Sequence, residues 1–235
     1  MLIRLDKYLA DMGIGTRSTV KAEIKKGKIS INGIVCKDSN VKINSEKDKV
    51  YYEGSLIVYE QYEYFMLNKP AGIISASSDK NEKTVVDLIT DKKKKDLFPI
   101  GRLDKDTEGL LIISNDGELG HNLLSPKKHV DKTYYVELDS PLSDSKAVEV
   151  CEGVYIEKDV KSLPAKLERI SSDKVYLTIH EGKFHQVKKM FHAVGCEVTY
   201  LKRVSMGNLK LDESLKPGEY RPLSDDEINA LKESV

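Results

Sequence analysis

The chain has 235 residues, its 38 Lys and Arg are matched by 38 Asp and Glu, and 40% of its residues are hydrophobic. That length holds one large domain or two of unequal size, with enough apolar content for a real core, and no stretch approaches the ~20 apolar residues of a membrane span. The opening Met1-Leu2-Ile3-Arg4-Leu5-Asp6 lacks the basic-then-apolar layout of a secretion signal, and the separated Cys36, Cys151 and Cys196 form neither a disulfide framework nor a metal-ligand spacing, which suits a reducing cytoplasm.

The even charge hides an asymmetry. Residues 1–59 carry 11 basic and 7 acidic side chains, and the remainder 27 and 31. A basic head on a mildly acidic body suits contact with a polyanion, although an excess of this size also falls within ordinary scatter. In the head, Leu2, Leu5, Leu9 and Met12 recur at helical spacing and Gly13 and Gly15 end that helix. Ser18 is placed to cap a second helix, with Val20 and Ile24 inward and Gly27 past its end. Lys28-Ile29-Ser30-Ile31 alternates, and Asn32-Gly33 predicts a hairpin that returns through Ile34-Val35.

Residues 53–63 read as a connector, so the expected division is 1–59 and 60–235. Beyond it, strands are predicted at 64–67, 110–114, 133–138, 174–179 and 198–204, and helices at 84–89, 117–124, 143–151 and 184–194. Strands outnumber helices without alternating strictly with them, which predicts an α+β body on a mixed, largely antiparallel sheet. The run Lys92–Lys95 reads as a solvated loop.

The chemistry concentrates in Gly101-Arg102-Leu103-Asp104-Lys105-Asp106-Thr107-Glu108-Gly109-Leu110-Leu111, which sets an arginine and three carboxylates in a short turn ahead of a buried strand. The residues by themselves do not choose among Asp104, Asp106 and Glu108. Upstream, Tyr64-Phe65-Met66-Leu67-Asn68-Lys69-Pro70-Ala71-Gly72 runs a strand into a Pro/Gly turn, a structural role first of all. Downstream, a helix from Phe184 would place residues 184, 187, 190, 191 and 194 on one apolar stripe, with His185, Lys188 and His192 along one edge. His180, His185 and His192 are near one another in sequence, but no Cys or carboxylate at ligand spacing completes a metal site.

These three segments, in this order, resemble the catalytic core of pseudouridine synthases of the RsuA type, enzymes that isomerise uridine within RNA. The head, with Arg4-Leu5-Asp6-Lys7, Thr16-Arg17-Ser18 and Ile24-Lys25-Lys26-Gly27, resembles the S4 RNA-binding domain, a helical pair followed by a hairpin. The resemblance spans nearly the whole chain. It implies that Asp104 is the catalytic residue, acting as an ionised carboxylate on the ribose or base. It implies that Tyr134, in Lys132-Thr133-Tyr134, stacks on the target base. Lys188 matches the basic residue that pairs with the aspartate, where many relatives carry arginine and its bidentate fork.

Further implied are Arg102, His185 and Gln186 as RNA contacts at the cleft, and Arg17, Lys21, Lys25 and Lys28 as phosphate contacts on the head. Leu177 and Ile179 would form the apolar wall under the base. No cofactor, no metal and no membrane are implied, and one chain with its own RNA-binding head needs no partner subunit. His185-Gln186-Val187-Lys188-Lys189-Met190 and the ending Pro217-Gly218-Glu219-Tyr220-Arg221-Pro222-Leu223 point to 16S rRNA at uridine 516, in free RNA or an assembling small subunit. A sister enzyme acting on 23S rRNA, and an RNA-binding assembly factor without activity, remain the alternatives.

Overall fold

The computed structural model describes residues 1–235, which form two compact units: Met1–Glu63 with Asp91–Asp96, and Tyr64–Thr90 with Leu97–Val235. In the first unit, helices Leu5–Asp11 and Arg17–Lys25 bury Leu5, Tyr8, Leu9, Val20 and Ile24 against Ile29, Ile43 and Val50. The cap of the second helix is Thr16, whose hydroxyl accepts from the Thr19 N–H at 3.2 Å, rather than Ser18. Leu2 lies in a short strand, Leu2–Arg4, and is exposed rather than helical.

The Asn32-Gly33 hairpin is present, with φ of 52° and 83° as a type I′ turn requires. The predicted connector holds structure instead. Strand Ser55–Ile57 pairs with Val50–Tyr52 across a second positive-φ turn, Glu53-Gly54. Glutamate in place of the usual Asn or Asp hid that hairpin. The Tyr8 hydroxyl fixes the returning strand by donating to the Ile57 carbonyl at 2.6 Å. The lysine run is not a purely solvated loop either. Lys94 is buried and donates to the Asp11 carbonyl, and its ammonium lies 5.3 Å from the centre of the Tyr59 ring.

The second unit is built on a nine-stranded sheet. Its main path runs Lys166–Arg169, Lys174–Ile179, Lys132–Leu138, Val198–Met206, Glu108–Ser114, Tyr64–Lys69 and Tyr220–Pro222, with Leu209–Lys210 and Phe98–Ile100 paired at the side. Every pairing is antiparallel except Val198–Met206 against Glu108–Ser114, which is parallel. The mixed, largely antiparallel α+β architecture is therefore the one the sequence predicts.

Alternation in Lys132–Leu138 buries Lys132, Tyr134, Val136 and Leu138 on one face. Val175, Leu177 and Ile179 share that face and pack with Val187, Met190 and Phe191 of helix Gln186–Ala193. A second core joins Met66, Leu110 and Ile112 to helix Gly117–Leu124 and, through Leu231, to helix Asp225–Lys232. The last helix was not anticipated, although its Ser224…Glu227 capping box is plain in the sequence.

Candidate active site

Residues 101–107 link strand Phe98–Ile100 to strand Glu108–Ser114. Gly101 turns the chain at a φ of 83°, and Leu103 buries its side chain. The Ser75 hydroxyl donates to the Leu103 carbonyl at 2.8 Å and accepts from its N–H at 3.1 Å. Gly72 donates to the Lys105 carbonyl at 2.7 Å, and Thr107 donates back to Asp104 at 3.1 Å.

Below the loop lies Lys69, fully buried. Its ammonium donates to the carbonyls of Pro70, Lys105 and Thr107 at 3.0, 3.2 and 2.9 Å. Burial pushes Lys69 down to about 8, against the opposing pull of Asp106, Asp104 and Glu108. Three carbonyls need three N–H donors, which only the ammonium supplies, so the charged form fits this seat. The Lys69-Pro70-Ala71-Gly72 turn is thus the floor of the loop, and Lys69 is a site residue that sequence reasoning passed over as part of a turn. Its signal was a lysine closing, beside Asn68, the strand whose middle is the apolar run Phe65-Met66-Leu67.

This scaffold holds Asp104 with its side chain a quarter exposed. The Lys188 ammonium lies 3.3 Å from one Asp104 oxygen and 2.6 Å from Asp106, and His185 Nε2 lies 3.6 Å from the other Asp104 oxygen. Lysine bridges both carboxylates as a point charge. Asp106, itself largely exposed, is held below the usual carboxylate range by the Lys188 hydrogen bond. Glu108 is occupied elsewhere, accepting from the Tyr200 hydroxyl at 2.7 Å.

Asp104 opens on a cleft of roughly 80 Å³ lined by Arg102, Thr107, Tyr134, Ile179, His185 and Leu201, among others. Tyr134 stands between Leu177 and Arg203 on its neighbouring strands. Ile179 and Leu201 supply the apolar wall, whereas Leu177 is fully buried behind it. Arg102 is exposed at this cleft and makes no ion pair with Asp104 or Glu108.

Gln186 is buried, and both ends of its carboxamide are engaged. It accepts from Lys183 N–H at 2.9 Å and donates to Glu181 at 2.7 Å. It therefore fixes the 181–186 turn rather than presenting a free group at the cleft. Helix Gln186–Ala193 begins after the predicted start, because His185 takes a left-handed conformation at φ 53°. That shift expels Phe184 from the apolar stripe, leaving Val187, Met190, Phe191 and Val194 buried. His192 leaves the site and pairs with Glu197 at 2.5 Å. His180 pairs with Asp131 at 3.2 Å. No group of three His, Cys, Asp or Glu side chains is arranged to hold a metal ion.

Two further cations are buried in the strands of the sheet. Arg203, buried, donates through Nε to the Leu110 carbonyl at 2.8 Å. Lys132 donates to the Val130 carbonyl at 2.7 Å, and burial together with the Arg203 charge pushes it down to about 8. Neither charge was expected inside, since strand periodicity does not show which lysine or arginine is buried.

In the first unit, Arg17, Lys21 and Lys25 are exposed on helix Arg17–Lys25. Lys21 lies 3.8 Å from Asp6. Lys28 is bridged to Glu23 and Glu53 at 2.6 and 2.9 Å, and those two carboxylates raise it above the usual lysine range.

Comparison with known proteins agrees with this arrangement. Residues 63–193 match the family model described as RNA pseudouridylate synthase, and residues 3–50 match that of the S4 domain. The chain is 49% identical to an uncharacterized RNA pseudouridine synthase of Bacillus subtilis, covering 98% of this chain and 99% of that one. It is 40% identical to ribosomal small subunit pseudouridine synthase A of Escherichia coli, covering 97% and 100%. A crystal structure of a pseudouridylate synthase matches with a TM-score of 0.69 at 40% identity, covering 97% and 99% of the two chains. On these grounds the chain belongs to the RNA pseudouridylate synthase family, in the branch of the ribosomal small subunit pseudouridine synthases that carry an N-terminal S4 domain.

Proposed function

We propose that this enzyme converts a single uridine of ribosomal RNA to pseudouridine, uridine 516 of the 16S molecule, and that Asp104 performs the chemistry. The observation that carries the reading is the Asp104 carboxylate at a small cleft, flanked by Lys188 at 3.3 Å and His185 at 3.6 Å. The resemblance to the small-subunit enzymes, sustained over nearly the full length, supports the choice of RNA.

The reaction breaks the bond from ribose C1′ to uracil N1, turns the base, and joins C1′ to C5. The proton on C5 is lost and N1 ends protonated, so the product is an isomer and the balance needs no oxidant or reductant. The Asp104 carboxylate starts it either by attacking C1′ or by removing the 2′ proton so that a glycal forms. Lys188 positions the carboxylate and offsets its charge against the RNA. Tyr134 offers a ring for the uracil face, and Ile179 and Leu201 form an apolar wall around it. Arg102, free and exposed beside the cleft, holds the phosphates or fills the gap left by the flipped nucleotide. Flipping costs a few kcal/mol, and stacking in the cleft returns ~1–3 kcal/mol of it. On the head, Arg17, Lys21 and Lys25 are the ready phosphate contacts, while Lys28 joins them by exchanging its carboxylate partners.

The test is pseudouridine mapping by carbodiimide modification and primer extension. Unmodified 16S and 23S transcripts and partly assembled subunits are treated with wild-type protein and with Asp104→Asn. One stop at uridine 516, absent with the variant, is the expected result. A stop only in 23S RNA overturns the substrate, and binding without any stop overturns the activity.

A further inference from the structure

The residue displaced from its predicted place in the core carries a separate inference. Phe184 is 72% exposed and lies in sequence between Lys183 and His185, both of which line the Asp104 cleft. A large aromatic ring left in water is costly on folding grounds alone. Here it is also held in place. Consecutive side chains on a helix or strand diverge, but the left-handed backbone at His185, φ 53° and ψ 31°, folds the two rings together. Their centroids are 3.8 Å apart and their planes 21° from parallel.

A non-glycine residue in that backbone region stores strain, and the Gln186–Glu181–Lys183 hydrogen bonds described above lock the turn that imposes it. Lys189 places its ammonium 5.0 Å from the centre of the Phe184 ring while also pairing with Glu157 at 2.5 Å. The ledge is thus two stacked rings and a cation, directly beside a carboxylate that must reach one nucleotide of an RNA chain.

We propose that the Phe184–His185 stack is a platform for the base next to the target uridine, making Phe184 a further RNA-binding residue of this enzyme. The inference rests on the RNA reading above. Extruding one nucleotide unstacks its neighbours, and an exposed aromatic pair at the rim restores a stacking surface to one of them. The ammonium of Lys189 is placed to meet the adjoining phosphate.

The test pairs a protein change with an RNA change. Phe184→Ala, Phe184→Leu and Phe184→Tyr are assayed on a small-subunit RNA substrate, intact or with an abasic nucleotide 5′ or 3′ of the target. The expected result is a KM raised roughly 5- to 150-fold for Phe184→Ala, the worth of one stacked base, with kcat little changed. Leucine should fail to rescue and tyrosine should restore wild-type KM. One of the two abasic substrates should impose the same penalty on wild type and none further on Phe184→Ala, the non-additivity expected of direct partners. Penalties that simply add for both abasic substrates, or a wild-type KM in Phe184→Ala, overturn the inference while wild-type turnover keeps the RNA reading intact. Wild-type protein that makes no pseudouridine on any ribosomal RNA overturns both.

Discussion

Replacing Lys69 with methionine isolates what holds the Asp104 loop. The ammonium serves three carbonyls, of which that of Lys105 also accepts from Gly72. Methionine therefore strands two acceptors, at ~1–3 kcal/mol each, or ~2–6 kcal/mol together. Against this stands the cost of burying a charge. The fall from 10.5 to about 8 corresponds to ~3 kcal/mol that methionine no longer incurs. The net change in stability is accordingly small, between about −1 and +3 kcal/mol of destabilisation.

The effect on turnover should be larger. Loss of the clamp lets Asp104 drift relative to Lys188 and the cleft, and a displacement near 1 Å costs about 10²-fold in kcat. The pH dependence separates the two effects. Folded Lys69 gives up its proton near 8 and the unfolded chain near 10.5, so between those values the unfolded state binds the extra proton and stability rises with pH. Wild type should gain up to ~3 kcal/mol on Lys69→Met across that window, and nothing below it.

The chain has no tryptophan, so urea unfolding is followed by far-ultraviolet circular dichroism from about pH 7 to about pH 10.5. Lys132, also near 8, is common to both proteins and cancels in the comparison. A variant with wild-type kcat and a pH curve parallel to wild type would refute the clamp.

Four other outcomes are expected. Asp104→Asn should fold normally, because Lys188 keeps Asp106, yet form product at less than about 10⁻³ of the wild-type rate in the mapping assay. Lys188→Met should lower kcat by about 10²-fold and also weaken RNA binding, since the Asp104 and Asp106 charges are then unopposed, and Lys188→Arg should recover most of both, as single-turnover kinetics would show. Gly109→Ala should be destabilised by more than about 4 kcal/mol in urea, since a Cβ there would lie 2.2 Å from the Arg203 carbonyl oxygen on a φ of 101°. Neutralising Arg17 or Lys25 should each reduce the salt slope of RNA binding by about 1, and neutralising Lys28 should do less because two glutamates already compensate it.

What the sequence shows clearly is whatever rests on local periodicity and turn chemistry. Lys174–Ile179 and Gly117–Leu124 have the bounds that alternation and capping predict, and the Asn32-Gly33 hairpin follows from the two residues that favour positive φ. The order of motifs identifies the family and points to Asp104. What remained hidden depends on tertiary partners. A left-handed residue at His185 cannot be read from histidine, so periodicity alone predicts a helix from Phe184 and places that ring in the core. Buried Lys69, Lys132 and Arg203 look like surface cations until the carbonyls they serve are known. Glu53-Gly54 makes a tight hairpin without its usual residues, and so a strand passed for a connector.

The one parallel pairing in the sheet, Arg203 with Gly109, gives the molecule an order of assembly. Arg203 reaches back across 93 residues to bond Leu110, and closing a loop of that length costs ~4 kcal/mol of chain entropy. Everything that steadies Asp104 from the far side, His185 and Lys188 included, lies inside or beyond that loop. A growing chain therefore carries its basic head, complete once residue 96 has emerged, long before Asp104 has its partners His185 and Lys188. The head is in place while the Asp104 loop still lacks His185 and Lys188, which arrive only in about the last quarter of the chain's synthesis.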